Sequence, residues 1–182
     1  MSKIEWCDIT LNPVGGKCPH GCNYCYAEAM RKRFHWTEEM TSKPEVIEKM
    51  LNLRKPRAIF WGSMFDLFAE SVPIAWLNQI FEACNSPEGQ KHSHIFLTKN
   101  PQRQAEFASH KKHGNIFFGV STTGRFGFKT TFSSLDFVSC EPYIDRVVNY
   151  NDDISCGTFS HIIIGGLTGR GNDPYDKINS LS

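Results

Sequence analysis

The chain has 182 residues, of which 40% are hydrophobic and 13% are aromatic. This length suits one domain or at most two small ones, and the apolar content is enough for a packed core, which excludes a wholly disordered chain. The 20 basic and 19 acidic side chains leave a net charge of only +1, so overall charge does not indicate a general binder of polyanions.

The predicted elements alternate in the way that is typical of repeated βα units, because short β-branched or aromatic runs are separated by segments of helical spacing. Predicted strands cover residues 7–12, 58–62, 94–98, 115–121, 136–140 and 161–165. Predicted helices cover residues 26–34, 44–52, 74–84 and 101–110, with prolines at the tolerated first-turn positions 44 and 101. The crossover over 122–135 contains two glycines and a Thr/Ser run, so we expect it to be short and irregular.

The strand candidates are mostly continuous apolar runs, which favour a parallel sheet buried on both faces. A closed barrel of eight βα units takes about 250 residues, whereas this chain supplies about six strands. We therefore expect an α/β fold, an open and partial parallel βα barrel, with its ligand site at the carboxyl ends of the strands. Residues 1–166 would form this domain, and residues 167–182, rich in Gly, Asn and Pro near their start, would form a poorly structured tail.

The predicted cellular location rests on two patterns that the sequence does not show, a secretory signal and a membrane-spanning run. Residues 1–6 are followed by polar residues rather than by the apolar stretch of a secretory signal. Runs such as residues 161–165 are far shorter than the ~18 apolar residues of a membrane-spanning helix. We expect a cytoplasmic protein with no membrane partner.

The seven cysteines are an odd number, and three of them lie within eight positions. A disulfide framework predicts neither feature, whereas a tight cysteine cluster in a reducing compartment is typical of metal binding. Cys18, Cys22 and Cys25 have the spacing Cys-x3-Cys-x2-Cys, with Pro19 and Gly21 favouring turns. A loop this short can wrap three thiolates around one metal centre or cluster.

The fourth ligand decides which metal centre the loop would hold. A structural zinc site normally has four protein ligands, and His20 or His35 could complete one. Three thiolates on a four-iron cluster instead leave one iron with an open coordination site, where a chelating small molecule can bind. Both alternatives are consistent with the spacing.

The cysteine spacing, with the aromatic residue Tyr24 immediately before the last cysteine, resembles the signature of the radical S-adenosylmethionine superfamily. The resemblance implies that Cys18, Cys22 and Cys25 ligate a [4Fe–4S] cluster whose fourth iron is chelated by S-adenosylmethionine. It further implies that an electron, delivered by a donor protein, cleaves the cofactor to a 5′-deoxyadenosyl radical that acts on a substrate which the sequence does not identify.

The similarity continues along the chain. Ordered landmarks lie at residues 3–6, 12–14, 18–28, 63–68, 97–99, 119–121, 140–142 and 164–166. They resemble an uncharacterised phage-associated branch of radical-SAM-like proteins, similar in layout to spore photoproduct lyase, a radical enzyme that repairs DNA. A shared layout does not transfer the substrate. Relatives continue beyond the sixth strand, so a truncated barrel with an incomplete substrate pocket is expected.

Three residues are candidate contacts of the cofactor. Lys99 follows a predicted strand, where its ammonium group could pair with the cofactor carboxylate, as its counterpart in the relatives does; a solvated loop lysine is the alternative. The Gly-Gly-Glu element that contacts the cofactor's amino group in the family is absent, and Ser63 and Asp66 are the polar residues available in its place. Serine and aspartate at such positions are also common helix caps and turn formers.

Three further positions complete the predicted site. Ser121 ends a strand that faces the expected pocket, Gly165 permits close approach to an adenine or ribose, and Tyr24 would shield the cluster from water. Each also has an ordinary explanation as a strand end, a turn or a packed ring. The catalytic residues are not identifiable from the sequence.

Two basic runs, residues 31–33 and 54–57, could contact nucleic-acid phosphates. Neighbouring glutamates dilute them, and solvated helix faces often carry such runs. A nucleic-acid partner is therefore one alternative. A functional alternative of a different class is a non-catalytic metal-binding module, either a zinc knuckle or a remnant that carries a cluster and acts through a partner.

Overall fold

The computed structural model describes residues 4–122, 135–140 and 161–164. The strands are β1 (Ile9–Leu11), β2 (Val14–Gly15), β3 (Thr41–Ser42), β4 (Ala58–Trp61), β5 (Ser93–Thr98), β6 (Ile116–Thr122), β7 (Phe137–Cys140) and β8 (His161–Ile164). The α-helices are α1 (Tyr26–Arg33), α2 (Pro44–Leu51), α3 (Ile74–Asn85) and α4 (Pro101–Glu106).

Six of the strands form one sheet in the order β1-β4-β5-β6-β7-β8. Every neighbouring pair is parallel, and the order follows the chain, so each new strand joins the same side of the sheet. The predicted α/β class, the parallel sheet and all six predicted strands are confirmed. Most of the crossover predicted to be short, and the whole predicted tail, lie outside the described residues.

The helices begin where the sequence predicts. Pro44 and Pro101 occupy the first turns of α2 and α4, where a missing N–H costs nothing, and the Asn100 side chain accepts a hydrogen bond from the Arg103 N–H. The single helix expected over 101–110 is instead α4 followed by a 3-10 turn at Ala108–His110. No helix in the described part of the chain is long and apolar enough to cross a membrane.

An aromatic cluster joins α3 to the sheet. Phe81 of α3 lies with its ring centroid 5.0 Å from that of Phe96 and 5.9 Å from that of Phe118, and all three rings are fully buried. On the opposite face of the sheet, Trp6 packs 4.7 Å from Phe60. With apolar packing on both faces, the strands form a rigid support for the residues at their carboxyl ends.

A small antiparallel pair, β2 with β3, lies beside the main sheet and pairs Val14 with Ser42. Its strands have two residues each, too few for an alternating pattern to show in the sequence, and they were not predicted. The pair brackets the cysteine segment, because β2 precedes it and β3 follows α1. It therefore closes the base of the loop that carries the cysteines.

Candidate metal centre and cofactor site

The cysteine loop connects β2 to α1 and lies beyond the carboxyl end of β1. Gly21 has a φ of +59°, in the left-handed region that favours glycine, which confirms the turn predicted there. The Cys25 N–H donates to the Cys22 carbonyl at 3.1 Å, and the Cys25 carbonyl accepts from the Ala29 N–H at 3.2 Å. Cys25 thus closes a turn and starts helix α1 at the same time.

The three cysteines line one cavity of about 470 Å³, together with Met64 and residues of α1. All three are free thiols. Among the residues that the structure describes, no three His, Cys, Asp or Glu side chains converge closely enough to hold a single metal ion. A four-iron cluster takes each thiolate on a different iron, so three soft thiol donors around a cavity of this size fit its donor chemistry.

Cys18 is the cysteine most closely joined to the body of the protein, since it packs against the hydrophobic core. Burial is the main influence on its thiol and raises the pKa, while the nearby backbone groups of Asp66 and His20 act in the opposite direction. The Cys18 sulfur thus lies where the cysteine loop meets the core.

Asp66 lies in the connection between β4 and α3, with a side chain only 9% exposed. Its carboxylate accepts from His20 Nε2 at 2.7 Å, from the Lys99 N–H at 2.9 Å and from the Thr98 hydroxyl at 2.8 Å. Burial acts to raise the pKa of this carboxyl, but these hydrogen bonds outweigh it and lower the pKa. Asp66 thus ties the cysteine loop to the carboxyl end of β5.

Lys99, Ser121 and Tyr24 come together beside the loop. The Lys99 ammonium donates to the Ser121 hydroxyl at 3.0 Å and lies 5.5 Å from the centre of the Tyr24 ring. Burial raises the pKa of Tyr24 to about 12, with further contributions from the nearby Cys22 and Cys25 side chains. Neighbouring side chains therefore lead from the end of β6 to the cysteine loop.

Ser63 is held by Asn12, which follows β1. The Asn12 side-chain oxygen accepts from the Ser63 hydroxyl at 3.2 Å and from the Met64 N–H at 2.9 Å. The Ser63 carbonyl accepts from the Tyr26 hydroxyl. This places Ser63 between the end of β1 and the start of α1, on the same side of the sheet as the cysteine loop.

The comparisons with known proteins give one result. A family model described as "Protein of unknown function (DUF5131)" matches residues 1–179. The chain belongs to the DUF5131 family. No curated protein and no solved structure matches this DUF5131 chain.

The basic run at residues 31–33 is partly engaged by acids in this DUF5131 protein. Arg31 contacts Glu28 at 2.8 Å and Glu38 at 2.9 Å, and Lys32 lies 3.5 Å from Glu28. The hydrogen bond to Arg31 is the main cause that lowers the pKa of Glu28 to about 2. Arg31 thus lies in the wall of the cavity, paired with two glutamates. A nucleic-acid interface at this run stays a prediction.

Of the predicted site residues in the DUF5131 chain, the three cysteines line the cavity. Five others are not among its lining residues and lie in the contacts between the loop and the strand ends: Tyr24, Ser63, Asp66, Lys99 and Ser121. Gly165 lies outside the described residues. Asn12, Thr98 and the pairing of His20 with Asp66 were missed as parts of the site. Asn12 ends the first predicted strand, and Thr98 ends the third, immediately before Lys99. A polar residue at the end of an apolar strand was the sequence signal that could have found them. The His20–Asp66 pairing joins positions 46 residues apart and has no local signal.

Proposed function

We propose that this DUF5131 protein is a radical-SAM-type iron–sulfur protein that cleaves S-adenosylmethionine reductively and acts on a further substrate. Cys18, Cys22 and Cys25 would hold the [4Fe–4S] cluster. The observation that carries the proposal is the arrangement of three thiols around one cavity. Tyr24 of the same loop lies near Lys99, which bonds Ser121 at the end of the next parallel strand.

The strand order supports the proposal at the level of the fold. In a doubly wound sheet the order reverses at a switch point, whereas in a βα barrel each strand follows its predecessor. The order here runs along the chain from β1 to β8 without reversal. We therefore interpret the sheet as the open, partial βα barrel of the radical-SAM type, with its ligands at the carboxyl ends of the strands.

When bound, the cluster would supply the electron that breaks the sulfonium C–S bond of S-adenosylmethionine, after reduction by a donor protein. Lys99 is suited to the cofactor carboxylate because its ammonium group is held in place by Ser121 and Tyr24. Tyr24 remains protonated at neutral pH, so its hydroxyl can stabilise the electron-rich sulfur of Cys22.

Ser63 and Asp66 have different roles in this proposal. Both carboxylate oxygens of Asp66 already accept protein donors, so we assign it to positioning the loop rather than to the cofactor's amino group. Ser63 is the residue left to contact that group, and its hydroxyl is oriented by Asn12. One serine would thus replace the Gly-Gly-Glu element of the radical S-adenosylmethionine superfamily, which this chain lacks.

One observation favours a second candidate, a non-catalytic zinc module. Metal-ligating histidines usually donate their other ring N–H to a carboxylate, and His20 Nε2 lies 2.7 Å from Asp66. His20 would then be the fourth ligand beside the three cysteines, through its remaining nitrogen, and these four side chains would have to draw together, since no three of them converge on one point in the described residues. A closed site of this kind would leave no position for a cofactor.

Metal analysis after anaerobic reconstitution separates the two candidates. We expect about four irons per chain and a brown chromophore for the wild type, loss of both in Cys22→Ala, and no change in the matched control Cys7→Ala, since Cys7 lies outside the loop. One zinc per chain without a chromophore would refute the iron–sulfur proposal. Reduced protein should then produce more 5′-deoxyadenosine from S-adenosylmethionine than the Cys22→Ala variant does; equal amounts would refute the activity.

The role of Lys99 has its own test in the iron-loaded protein. Loss of one charge-assisted hydrogen bond should weaken binding of S-adenosylmethionine about tenfold in Lys99→Met without lowering the iron content. Lys91→Met is the matched control, because Lys91 is exposed and precedes β5 at its other end. Equal affinity in the two variants would remove Lys99 from the cofactor site.

A further inference from the structure

We propose that His20 and Asp66 form a pin that holds the cysteine loop against the end of β5 and orients Cys18 for ligation. As a device of loop geometry the pin stands without any metal, and its effect on cluster assembly rests on the proposed function. Asp66 acts here as a positioning residue, through His20 and Cys18, and it contacts no reacting atom.

The surroundings of the Asp66 side chain require an acceptor without a proton. Four donors reach its two oxygens: the Phe68 N–H at 3.0 Å, the Lys99 N–H at 2.9 Å, the Thr98 hydroxyl at 2.8 Å and His20 Nε2 at 2.7 Å. Two of these donors are backbone N–H groups, which cannot reverse their role. A carboxylate satisfies all four, whereas an amide would place an N–H group against a backbone N–H.

The same bond bears on the proposed metal ligand through the chain itself. His20 follows Cys18 by two residues, and Cys18 packs against the hydrophobic core. The His20 side chain reaches a carboxylate that is 46 positions away in the chain. Breaking this bond would free the turn that carries Cys18.

The pin lies beside the point where the loop meets the core. Cys18 is half-buried and packs against the core, while its neighbours Pro19, His20 and Gly21 are exposed. Since these three residues are exposed, the bond from His20 to a nearly buried carboxylate is a polar contact that holds this turn against the sheet. A hydrogen bond to a charged group contributes more than a neutral one.

Thiol labelling of the metal-free full-length chain tests the pin directly. Under reducing, anaerobic conditions we expect iodoacetamide to modify Cys18 about tenfold faster in His20→Ala than in the wild type, the factor that corresponds to losing one charge-assisted hydrogen bond. His35→Ala is the matched control, since His35 is exposed and outside the loop. His20→Gln, which restores an N–H donor, should return the rate toward that of the wild type.

Cys84 provides an internal reference in the same mass-spectrometric measurement, because it is fully buried in α3. Its rate should stay unchanged in His20→Ala. If Cys84 also becomes reactive, His20 supports the whole fold and the local pin is refuted. Asp66→Asn should accelerate Cys18 at least as much, because it disturbs the other bonds of Asp66 as well. The effects of the two changes should not add in the double variant, since both act on the bond between His20 and Asp66.

Iron loading provides the second arm. If the proposed function holds, His20→Ala should weaken cluster assembly 10- to 100-fold, as loss of an outer-shell partner typically does, with all three cysteines still present. A wild-type chain that takes no iron while the Cys18 labelling changes as expected would overturn the proposed function and leave the pin standing. Equal Cys18 rates in His20→Ala and wild type would overturn the pin, whatever the iron content.

Discussion

We expect the buried His94 to make the stability of this protein sensitive to mild acid. The imidazole is fully buried, Trp61 Nε1–H donates to its Nδ1 at 3.0 Å, and its Nε2 lies 3.0 Å from the Gly89 carbonyl. Because the indole N–H can only donate and the carbonyl can only accept, the neutral tautomer with the proton on Nε2 is required. A second proton on Nδ1 would point directly at the Trp61 N–H.

The magnitude follows from the pKa. Burial is the main cause that lowers the pKa of His94 from its ordinary value of 6.5 to about 4. At ~1.4 kcal/mol per pH unit this difference corresponds to roughly 3 kcal/mol. Since the unfolded chain binds the extra proton at higher pH than the folded one, this contribution is fully present above pH 6.5 and is lost as the pH falls toward 4. At pH 5 about 2 kcal/mol should already be lost.

Urea unfolding of the reduced, metal-free chain at pH 7.5 and pH 5.0 measures this effect. His94→Gln keeps a donor and an acceptor but cannot titrate, so we expect the wild type to lose about 2 kcal/mol more than the variant between the two pH values. Carboxylates titrate equally in both proteins and cancel. His113→Gln, at an exposed position, should follow the wild type. If wild type and His94→Gln lose the same stability within ~0.5 kcal/mol, the reasoning from the buried tautomer is wrong.

Two further predictions concern the fold that carries the site. Gly62→Ala should destabilise the fold by about 3 kcal/mol or more, because Gly62 has a φ of +78° and an added Cβ would lie 2.7 Å from Leu67 Cγ. Gly114→Ala, at a φ of +69° with open space around it, should cost only about 1 kcal/mol. Equal losses of unfolding free energy in urea would contradict the steric account. Phe81→Ala should cost about 3–5 kcal/mol of stability by leaving a cavity in the aromatic cluster. Phe117→Ala should cost far less, because Phe117 is 37% exposed. A comparable decrease of the urea midpoint in the two variants would refute the assignment of the core.

The order of elements could be predicted because each is encoded locally. The run at residues 94–98 is apolar and β-branched, and it forms β5 within one residue of the prediction. The prolines that open α2 and α4 are likewise local signals. The strands of β2 and β3 were missed because two residues carry no periodicity, and they exist only through pairing with each other.

The cysteine motif and the strand-end residues were also readable from the sequence, since a Cys-x3-Cys-x2-Cys loop gathers its thiols by chain connectivity alone. Their roles were not all readable. Asp66 was predicted to contact a cofactor, and the structure adds that its oxygens accept donors from the cysteine loop and from the end of β5. Arg31 was one of the residues weighed for nucleic acid, whereas it pairs with Glu28 and Glu38.

The sequence by itself therefore determined the α/β order of elements, the three-thiol loop and the edge of the sheet where polar residues collect, because periodicity, turn residues and short spacings act over a few positions. Only the tertiary structure decided that His20 meets Asp66, that Lys99 meets Ser121 and Tyr24, and that Asn12 orients Ser63. These contacts depend on strand register and on how the loop folds back over the sheet. They join residues 22 to 75 positions apart, a distance over which no local pattern carries information.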